Sequence, residues 1–318
     1  MITKTGSTIF ALAVAGGALL AGSALAQDAE VTLQTKGVTV GYTSPSLDND
    51  YWVKAKDFME KTAAELGINL IVAPATTGDV SNQLDILNQF AAQQVDAVVV
   101  AAVDSKGVVP GIEMLNQANI PVVSVDSLAG GGNLIAKVAT DGKRGGALLG
   151  EYVYSVKGDG GTLFQQQTDV FVEIAEDRVT GTADVLKQHG WTVLGQPLIP
   201  YGRGPSRDLA QAALVANPEI TAINARNDDT ALGVVAAAQA LGRGDVMILG
   251  YDALPEALDA IEAGTMAATV FQDQDLMYGF ALRMAALYLG SPWTGTVEYQ
   301  IPPILVTKDN VPEIRARQ

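Results

Sequence analysis

Polar and aromatic side chains collect where the predicted β-strands end, or in the loops that follow those strands. They are Asn49, Tyr51, Trp52, Asp126, Asn227, Asp252 and Gln272. Carboxylates and amides each make several directed hydrogen bonds, and aromatic rings offer flat apolar faces. Arg178, near the start of a predicted helix, adds a fork of donors that suits neighbouring hydroxyl groups. Together these groups suit a ligand with hydroxyl edges and C–H faces, such as a sugar or a polyol.

Several of these side chains also have a structural interpretation that the sequence leaves open. Tyr51 and Trp52 begin a predicted helix, so one of them is expected to pack inward. Asp126 and Asp252 fit turns, and Arg178 fits a surface ion pair. Asp126 and Asp252 could also form the two carboxylates that a glycosidase needs, which keeps a secreted glycosidase as an alternative.

Other polar residues favour structural roles. Asp228, Asp229 and Asp273 stand at predicted helix starts, where aspartate caps free backbone N–H groups. His189, the only histidine, precedes a glycine at a predicted helix end. One histidine and no cysteine disfavour a Ser-His-Asp triad or a His-based zinc site. No G-x-G-x-x-G follows the first strand, and no G-x-S-x-G is present. We therefore predict a binding protein with no catalytic residue, no metal and no cofactor.

The stretch 220–257 places two of the candidate residues on one predicted strand–helix–strand unit. Residues 220–224 and 246–250 are short apolar runs, and the segment between them has the three-four spacing of an amphipathic helix. Gly242 fits the left-handed position after that helix. Asn227 and Asp252 each follow one of the two strands, at the edge where open α/β sheets bind ligands.

The same alternation runs through the whole chain and predicts an α/β fold. The first set of predicted strands is 38–43, 68–73, 95–103, 121–125 and 134–139. The second set is 162–166, 192–199, 220–224, 246–250 and 267–271, with a terminal strand at 304–307. Helices are predicted between the strands, including 50–66, 142–156, 175–189, 206–216 and a long one over 273–289. Two successive sets predict two similar lobes, each with a parallel, doubly wound sheet.

Composition and charge restrict the partners. The chain has 318 residues and a formal net charge of −15, which argues against a nucleic-acid partner because phosphate binding needs a basic surface. The first 26 residues carry Lys4, an apolar run and a small-x-small ending at Ala26. This pattern is typical of a cleavable signal peptide, so we expect cleavage between Ala26 and Gln27 and export of the mature protein.

The chain resembles the type I, ribose-binding-protein-like periplasmic sugar-binding proteins of ABC transporters. The segments that carry the resemblance are SLDNDYWV (46–53), NQANIPVVSVDS (116–127), VATDGKRGG (138–146), EDRVTG (176–181), ARNDDTALG (225–233), DVMILGYDALP (245–255) and MAATVFQ (266–272). The resemblance implies two Rossmann-like lobes joined by a three-strand hinge. The N-terminal lobe would comprise 31–140 plus 273–299, and the C-terminal lobe 141–272 plus 300–318.

The resemblance also implies how the site works. A sugar or sugar alcohol would be held between the lobes, which close on it and deliver it to an inner-membrane ABC permease. Asn49, Tyr51, Trp52 and Asp126 would line one side. Arg178, Asn227, Asp252 and Gln272 would supply the other side, with Tyr201 as the opposing aromatic residue. A monomer is the expected state. The alternative is a sensor protein that presents a bound metabolite to a chemoreceptor or sensor kinase.

One position departs from the ribose-type pattern. Ser127 follows Asp126 where ribose-type members carry arginine, so a charged, forked donor is replaced by a short hydroxyl. Asp48 and Asp50 are expected to add acidic neighbours to the pocket. A polyol, a deoxy or larger sugar, or an amino sugar would each be compatible with this change.

Overall fold

Two parallel sheets follow one another along the chain, as the strand–helix alternation predicts. The computed structural model describes residues 33–169, 171–195 and 197–318. The predicted signal peptide, 1–26, lies outside the described residues. Within the described part of the chain, no helix has both the length and the apolar character needed to cross a membrane.

The first sheet has six strands, all paired in parallel. They are β1 (Thr39–Thr43), β2 (Asn69–Val72), β3 (Ala97–Val100), β4 (Val122–Val125), β5 (Leu134–Thr140) and, from much later in the chain, β13 (Val297–Ile301). Their spatial order is β13-β5-β4-β3-β1-β2. Strand β3 is buried along its whole length, as its all-apolar sequence predicts for a parallel strand with both faces covered.

The second sheet has four parallel strands in the order β11-β10-β6-β8. The remaining strands of the chain are β6 (Gly161–Gln165), β7 (Gln167–Thr168), β8 (Trp191–Leu194), β9 (Leu198–Ile199), β10 (Ala222–Asn224), β11 (Met247–Leu249), β12 (Thr269–Phe271) and β14 (Ile304–Val306). Strand β7 pairs with β9 in parallel, whereas β12 pairs with β14 in antiparallel orientation. The single strand predicted over 192–199 is therefore wrong, because its two ends pair in different sheets.

Helices connect the strands and cover the sheets. They are α1 (Asp50–Leu66), α2 (Val80–Ala92), α3 (Val109–Gln117), α4 (Gly142–Lys157), α5 (Glu173–Gln188), α6 (Arg203–Ala216), α7 (Asp228–Ala240), α8 (Pro255–Ala263), α9 (Gln274–Gly290) and α10 (Val311–Arg315). Helix α9 packs with strands of the first sheet, whereas α10 packs in the same core as α7 and α8 of the second. The sequence patterns did not predict α8, α10 or β13.

Helix ends explain where the loops of the site begin. Asp273 caps α9, as predicted, because its side chain accepts a hydrogen bond from the backbone N–H of Leu276. The prediction that Asp228 or Asp229 caps α7 is wrong. Asn227 is the cap, and Asp228 is instead buried, accepting hydrogen bonds from the backbone N–H of Leu254 and the hydroxyl of Thr269.

Helices α4 and α5 lie close together because both present glycines at their contact. A Cβ on Gly146 would clash with the backbone carbonyl of Arg178, and one on Gly181 would clash with the backbone of Lys143. This close approach holds the first turns of α5 against α4. It thereby fixes the position of Arg178, whose side chain leaves α5 toward the space between the sheets.

Candidate functional site

A cavity of about 440 Å³ lies between the loops that follow the strands of the two sheets. Every predicted site residue except Gln272 lines it. These residues are Asn49, Tyr51, Trp52, Asp126, Ser127, Arg178, Tyr201, Asn227 and Asp252. Chain segments more than a hundred residues apart thus meet at one place, as the strand-end argument predicts.

Asp126 anchors the wall contributed by the first sheet. It follows β4 and is 2% exposed. One of its carboxylate oxygens accepts hydrogen bonds from the hydroxyls of Tyr51 and, at 2.9 Å, Tyr278. Burial raises the pKa of Asp126, whereas the charge of Arg178 and the two tyrosine donors oppose that rise. Tyr51, the inward-packing member of the aromatic pair, therefore positions this carboxylate.

Asp252 anchors the wall contributed by the second sheet. Its Oδ1 accepts a hydrogen bond of 2.7 Å from Gln272 and lies 3.5 Å from Nη1 of Arg178. Burial raises the pKa of Asp252 to about 7, although Arg178 opposes the rise. The guanidinium of Arg178 also stacks over the ring of Tyr251, 3.9 Å from its centroid. Arg178 is thus a buried partner of Asp252 and not a surface ion-pair residue.

Gln272 lies behind the cavity wall. Its amide nitrogen donates to the hydroxyl of Tyr51 at 3.0 Å and to Asp252 at 2.7 Å. It therefore links the two acidic anchors without lining the main cavity. Within residues 33–169, 171–195 and 197–318, its amide oxygen has no hydrogen-bond partner.

Two asparagines on opposite walls share one tyrosine. Asn49 caps α1 and Asn227 caps α7, each through its side-chain oxygen. Their free amide nitrogens both donate to the hydroxyl of Tyr201, at 3.2 and 3.3 Å. The cap fixes each amide, so both donors point into the cavity with little freedom. Trp52 lines the same cavity and meets the ring of Tyr51 edge-on, with 5.1 Å between centroids.

Arg226 is a cavity residue that the sequence analysis missed. It lies between β10 and the cap residue Asn227 and is 8% exposed. Its Nη1 donates to the hydroxyl of Thr168, and its Nε has no partner in the part of the chain that the structure describes. Burial and the nearby charge of Arg178 lower its pKa to about 10. The signal was present, because Arg226 follows a strand at the same sheet edge as the residues that were singled out.

Three charged residues of the cavity have an unusual backbone conformation. Asp126, Arg226 and Asp252 have φ angles of 59°, 73° and 112°, in the left-handed region that residues with a Cβ rarely adopt. Each follows a strand directly or within three residues. Such strain persists where the surrounding structure holds it in place, and it concentrates at functional sites.

The expected acidic neighbours lie elsewhere. Asp48 and Asp50 are exposed and do not line the cavity, and Asp48 instead accepts a hydrogen bond from Thr77. Ser127 does line the cavity and is 7% exposed. Among the described residues, no group of three or more His, Asp or Glu side chains is placed to hold a metal ion.

The loop after β3 meets the segment before α5 and joins the two sheets at a second place. The backbone N–H of Ser105 donates to the carbonyl of Phe171 at 2.8 Å, and that of Phe171 donates to Asp104 at 2.9 Å. The hydroxyl of Ser105 accepts from the backbone N–H of Glu173 at 3.2 Å. Lys106 lies over the ring of Phe171, 4.4 Å from its centroid. We call residues 104–106 and 171–173 the bridging contact.

Comparisons with known proteins agree with this geometry. Residues 40–291 match the family described as periplasmic binding protein domain. The ribose import binding protein of Escherichia coli is 30% identical over 263 residues, which cover 83% of this chain and 85% of that protein. The D-allose-binding periplasmic protein of the same organism is 30% identical over 72% of this chain and 77% of that protein.

Solved structures share the fold. The Caulobacter myo-inositol binding protein bound to myo-inositol has 28% identity and a TM-score of 0.81, covering 89% of this chain and 98% of that one. An ABC transporter solute-binding protein from Mycobacterium smegmatis with bound glycerol has 28% identity and a TM-score of 0.79, covering 87% and 96%.

Proposed function

Since this chain belongs to the periplasmic binding protein family, we propose that it captures a sugar or sugar alcohol between its two lobes and delivers it to an ABC permease. The observation that carries the proposal is the cavity itself, where buried carboxylates, guanidiniums and amides from both sheets converge beside aromatic faces. Relatives named for ribose and D-allose, and a neighbour solved with myo-inositol, bind polyhydroxylated ligands of this kind.

The ligand-binding residues follow from this proposal. Asp126 and Asp252 accept ligand hydroxyls, and Arg178 donates to them, because each retains bonding capacity toward the cavity. Hydrogen bonds from uncharged groups to the ligand come from Asn49, Asn227 and Ser127. The ligand is flanked by Trp52 and Tyr201. Tyr51 and Gln272 orient the two carboxylates. No catalytic residue is assigned, so the protein binds and releases its ligand unchanged.

Lobe boundaries and export complete the proposal. The N-terminal lobe comprises 31–140 plus 273–299, and the C-terminal lobe 141–272 plus 300–318. The packing of α9 on the first sheet and of α10 with α8 supports this division. Residues 1–26 act as a cleavable signal peptide, and the mature protein works in the periplasm as a monomer.

Titration of the mature protein with pentoses, hexoses, alditols and inositols tests the function. Trp52 lines the cavity, whereas Trp293 packs against Tyr288 and Ile135, away from it. We therefore expect a bound ligand to change the tryptophan fluorescence of the wild type and of Trp293→Phe. The change should be much smaller in Trp52→Phe. Calorimetry that finds no binding to any polyhydroxylated compound would count against the proposal.

A further inference from the structure

Arg226 is a buried cation with no anionic partner in the described part of the chain. It is 8% exposed, and no carboxylate there lies within 4.0 Å of its guanidinium. Its Nη1 bonds to the neutral hydroxyl of Thr168, and its Nε has no hydrogen-bond partner among the described residues. A charge taken out of water is costly unless an opposite charge or several hydrogen bonds compensate it.

The cavity is lined by two guanidiniums, of Arg178 and Arg226, and by the two inner carboxylates of Asp126 and Asp252. Asp252 faces Arg178 at 3.5 Å, and Asp126 accepts from two tyrosine hydroxyls. Asp169 also lines the cavity, but it is exposed to solvent, which screens its charge. Of the two guanidiniums, only that of Arg226 has no carboxylate within 4.0 Å among the described residues. Burial and the neighbouring guanidinium of Arg178 lower the pKa of Arg226, and the charges of Glu176 and Asp252 oppose this change.

A ligand carboxylate would complete this arrangement. Guanidinium groups bind carboxylates through two parallel N–H···O bonds, and the unpaired Nε–H belongs to one edge that makes such pairs. The other cavity groups still suit hydroxyls.

We infer that the ligand is a sugar acid, a polyhydroxylated molecule with a single carboxylate that Arg226 binds. The inference rests on the proposed function and narrows its ligand class. A single guanidinium with no carboxylate beside it offers one two-bonded site, which favours one carboxylate over a doubly charged phosphate. Arg226 is then the residue that determines specificity, and it lies on the wall opposite Ser127.

Matched pairs of compounds test the inference on the wild-type protein. Each pair differs in one carboxylate: gluconate and glucitol, glucuronate and glucose, galacturonate and galactose, ribonate and ribitol. We expect calorimetry to show, in at least one pair, that the acid binds at least ~10-fold more tightly than its neutral counterpart. Glucose 6-phosphate is included as a doubly charged probe.

Arg226→Gln tests the residue. We expect it to weaken binding of the preferred acid by roughly 100-fold, and of the neutral partner by less than about 3-fold, because the lost interaction is charge-assisted. Arg226→Lys keeps the positive charge and should retain part of the preference for the acid over its neutral partner. This variant tests the inference if Arg226→Gln fails to fold. Arg207→Gln, an exposed arginine paired with Asp208, is the matched control and should leave both affinities unchanged.

The outcomes separate the inference from the proposed function. Tight binding of a neutral sugar or polyol with no acid preferred in any pair overturns the inference and leaves the function standing. Tighter binding of the phosphate than of every acid also overturns it. Loss of both acid and neutral binding to the same extent in Arg226→Gln contradicts the role of Arg226. No binding by any compound contradicts the proposed function itself.

Discussion

At the scale of single residues, the cavity is built from groups that fix one another. Arg178 holds Asp252 and stacks on Tyr251, and Gln272 joins Asp252 to Tyr51. Because these side chains are buried, their hydrogen bonds restrict each to one orientation before any ligand enters. A preorganised site loses less side-chain entropy on binding.

Arg178→Ala should therefore weaken ligand binding by about 1.5 to 3 kcal/mol, because a desolvated, charge-assisted donor is lost. Calorimetry with the ligand found in the panel measures this change. Arg283→Ala is a suitable control, since Arg283 pairs with Glu65 on the surface. Equal affinities of wild type and Arg178→Ala would remove Arg178 from the site.

Asp252 should make the stability of the ligand-free protein depend on pH. Its folded-state pKa of about 7 lies above the ordinary 3.8, so the folded protein binds an extra proton between those pH values. The free energy of unfolding should therefore rise as the pH falls through 7, by at most about 4 kcal/mol, and this gain should level off below pH of about 4.

Denaturant unfolding of wild type and Asp252→Asn, at intervals from pH 8 to 4.5, measures this effect. Asn keeps the shape and removes the titration. The difference between the two proteins reports the titration of Asp252 together with its coupling to Asp126 and Asp228, because the charge of Asp252 contributes to the raised pKa of Asp228 and that of Asp126 to the raised pKa of Asp252. A difference that stays constant across this range would show that Asp252 does not titrate there.

At the scale of elements, the contact of α4 with α5 sets the position of Arg178. Gly181→Ala should lower the free energy of unfolding by about 1 to 3 kcal/mol, because the added Cβ meets the backbone of α4. It should also weaken ligand binding, since α5 must move. Thermal unfolding and calorimetry measure the two effects.

Gly204→Ala is the matched control for this prediction. Gly204 lies in the first turn of α6 and has no atom within 4 Å of an added Cβ. The substitution should leave stability unchanged or raise it by up to about 1 kcal/mol. If Gly181→Ala behaves in the same way, the close approach of the helices does not position Arg178.

The sequence predicted elements best where strong local signals coincide. Helix α1 begins and ends as predicted, because Asn49 caps it and Gly67 ends it at a φ of 69°. Gly242 likewise has a φ of 67° after α7. Strand β13 was missed because it is an exposed edge strand, so its sequence VEYQI lacks the continuous apolar run of a buried strand.

The candidate site was predicted from strand ends, and its errors have a physical cause. Distances and pairings between strand-end loops depend on tertiary packing, which no local pattern contains. Asp228 resembled a cap but is buried as an acceptor, whereas Asn227 serves as both cap and cavity donor. Arg226 was not predicted as a site residue, because it is adjacent in sequence to the residues that were interpreted as helix caps.

At the scale of the whole molecule, the bridging contact joins the two sheets at the cavity wall, where its residue Val172 lines the cavity. Its hydrogen bonds exist only while the loop after β3 faces the segment before α5. The proposed function requires the lobes to open and close, and an opening that separates these two segments would break the hydrogen bonds. We therefore expect the bridging contact to favour the closed form and to raise ligand affinity.

Ser105→Ala tests this effect. It removes the acceptor of the Glu173 backbone N–H and should weaken ligand affinity by roughly 2- to 10-fold, which corresponds to one hydrogen bond. Ser155→Ala is the control, because Ser155 is exposed and bonds only within α4. Unchanged affinity in Ser105→Ala would mean that the bridging contact does not influence closure.

Asp126, Arg226 and Asp252 have a left-handed backbone conformation. At these positions, selection for thermal stability therefore opposes selection for ligand uptake. Each position costs on the order of 1 kcal/mol, which a glycine would recover. Selection for protein stability alone would favour glycine at these positions, and the side chains that line the ligand cavity would then be lost. Cells that depend on the nutrient must instead keep a less stable protein, so their gains in heat resistance have to arise elsewhere in the chain.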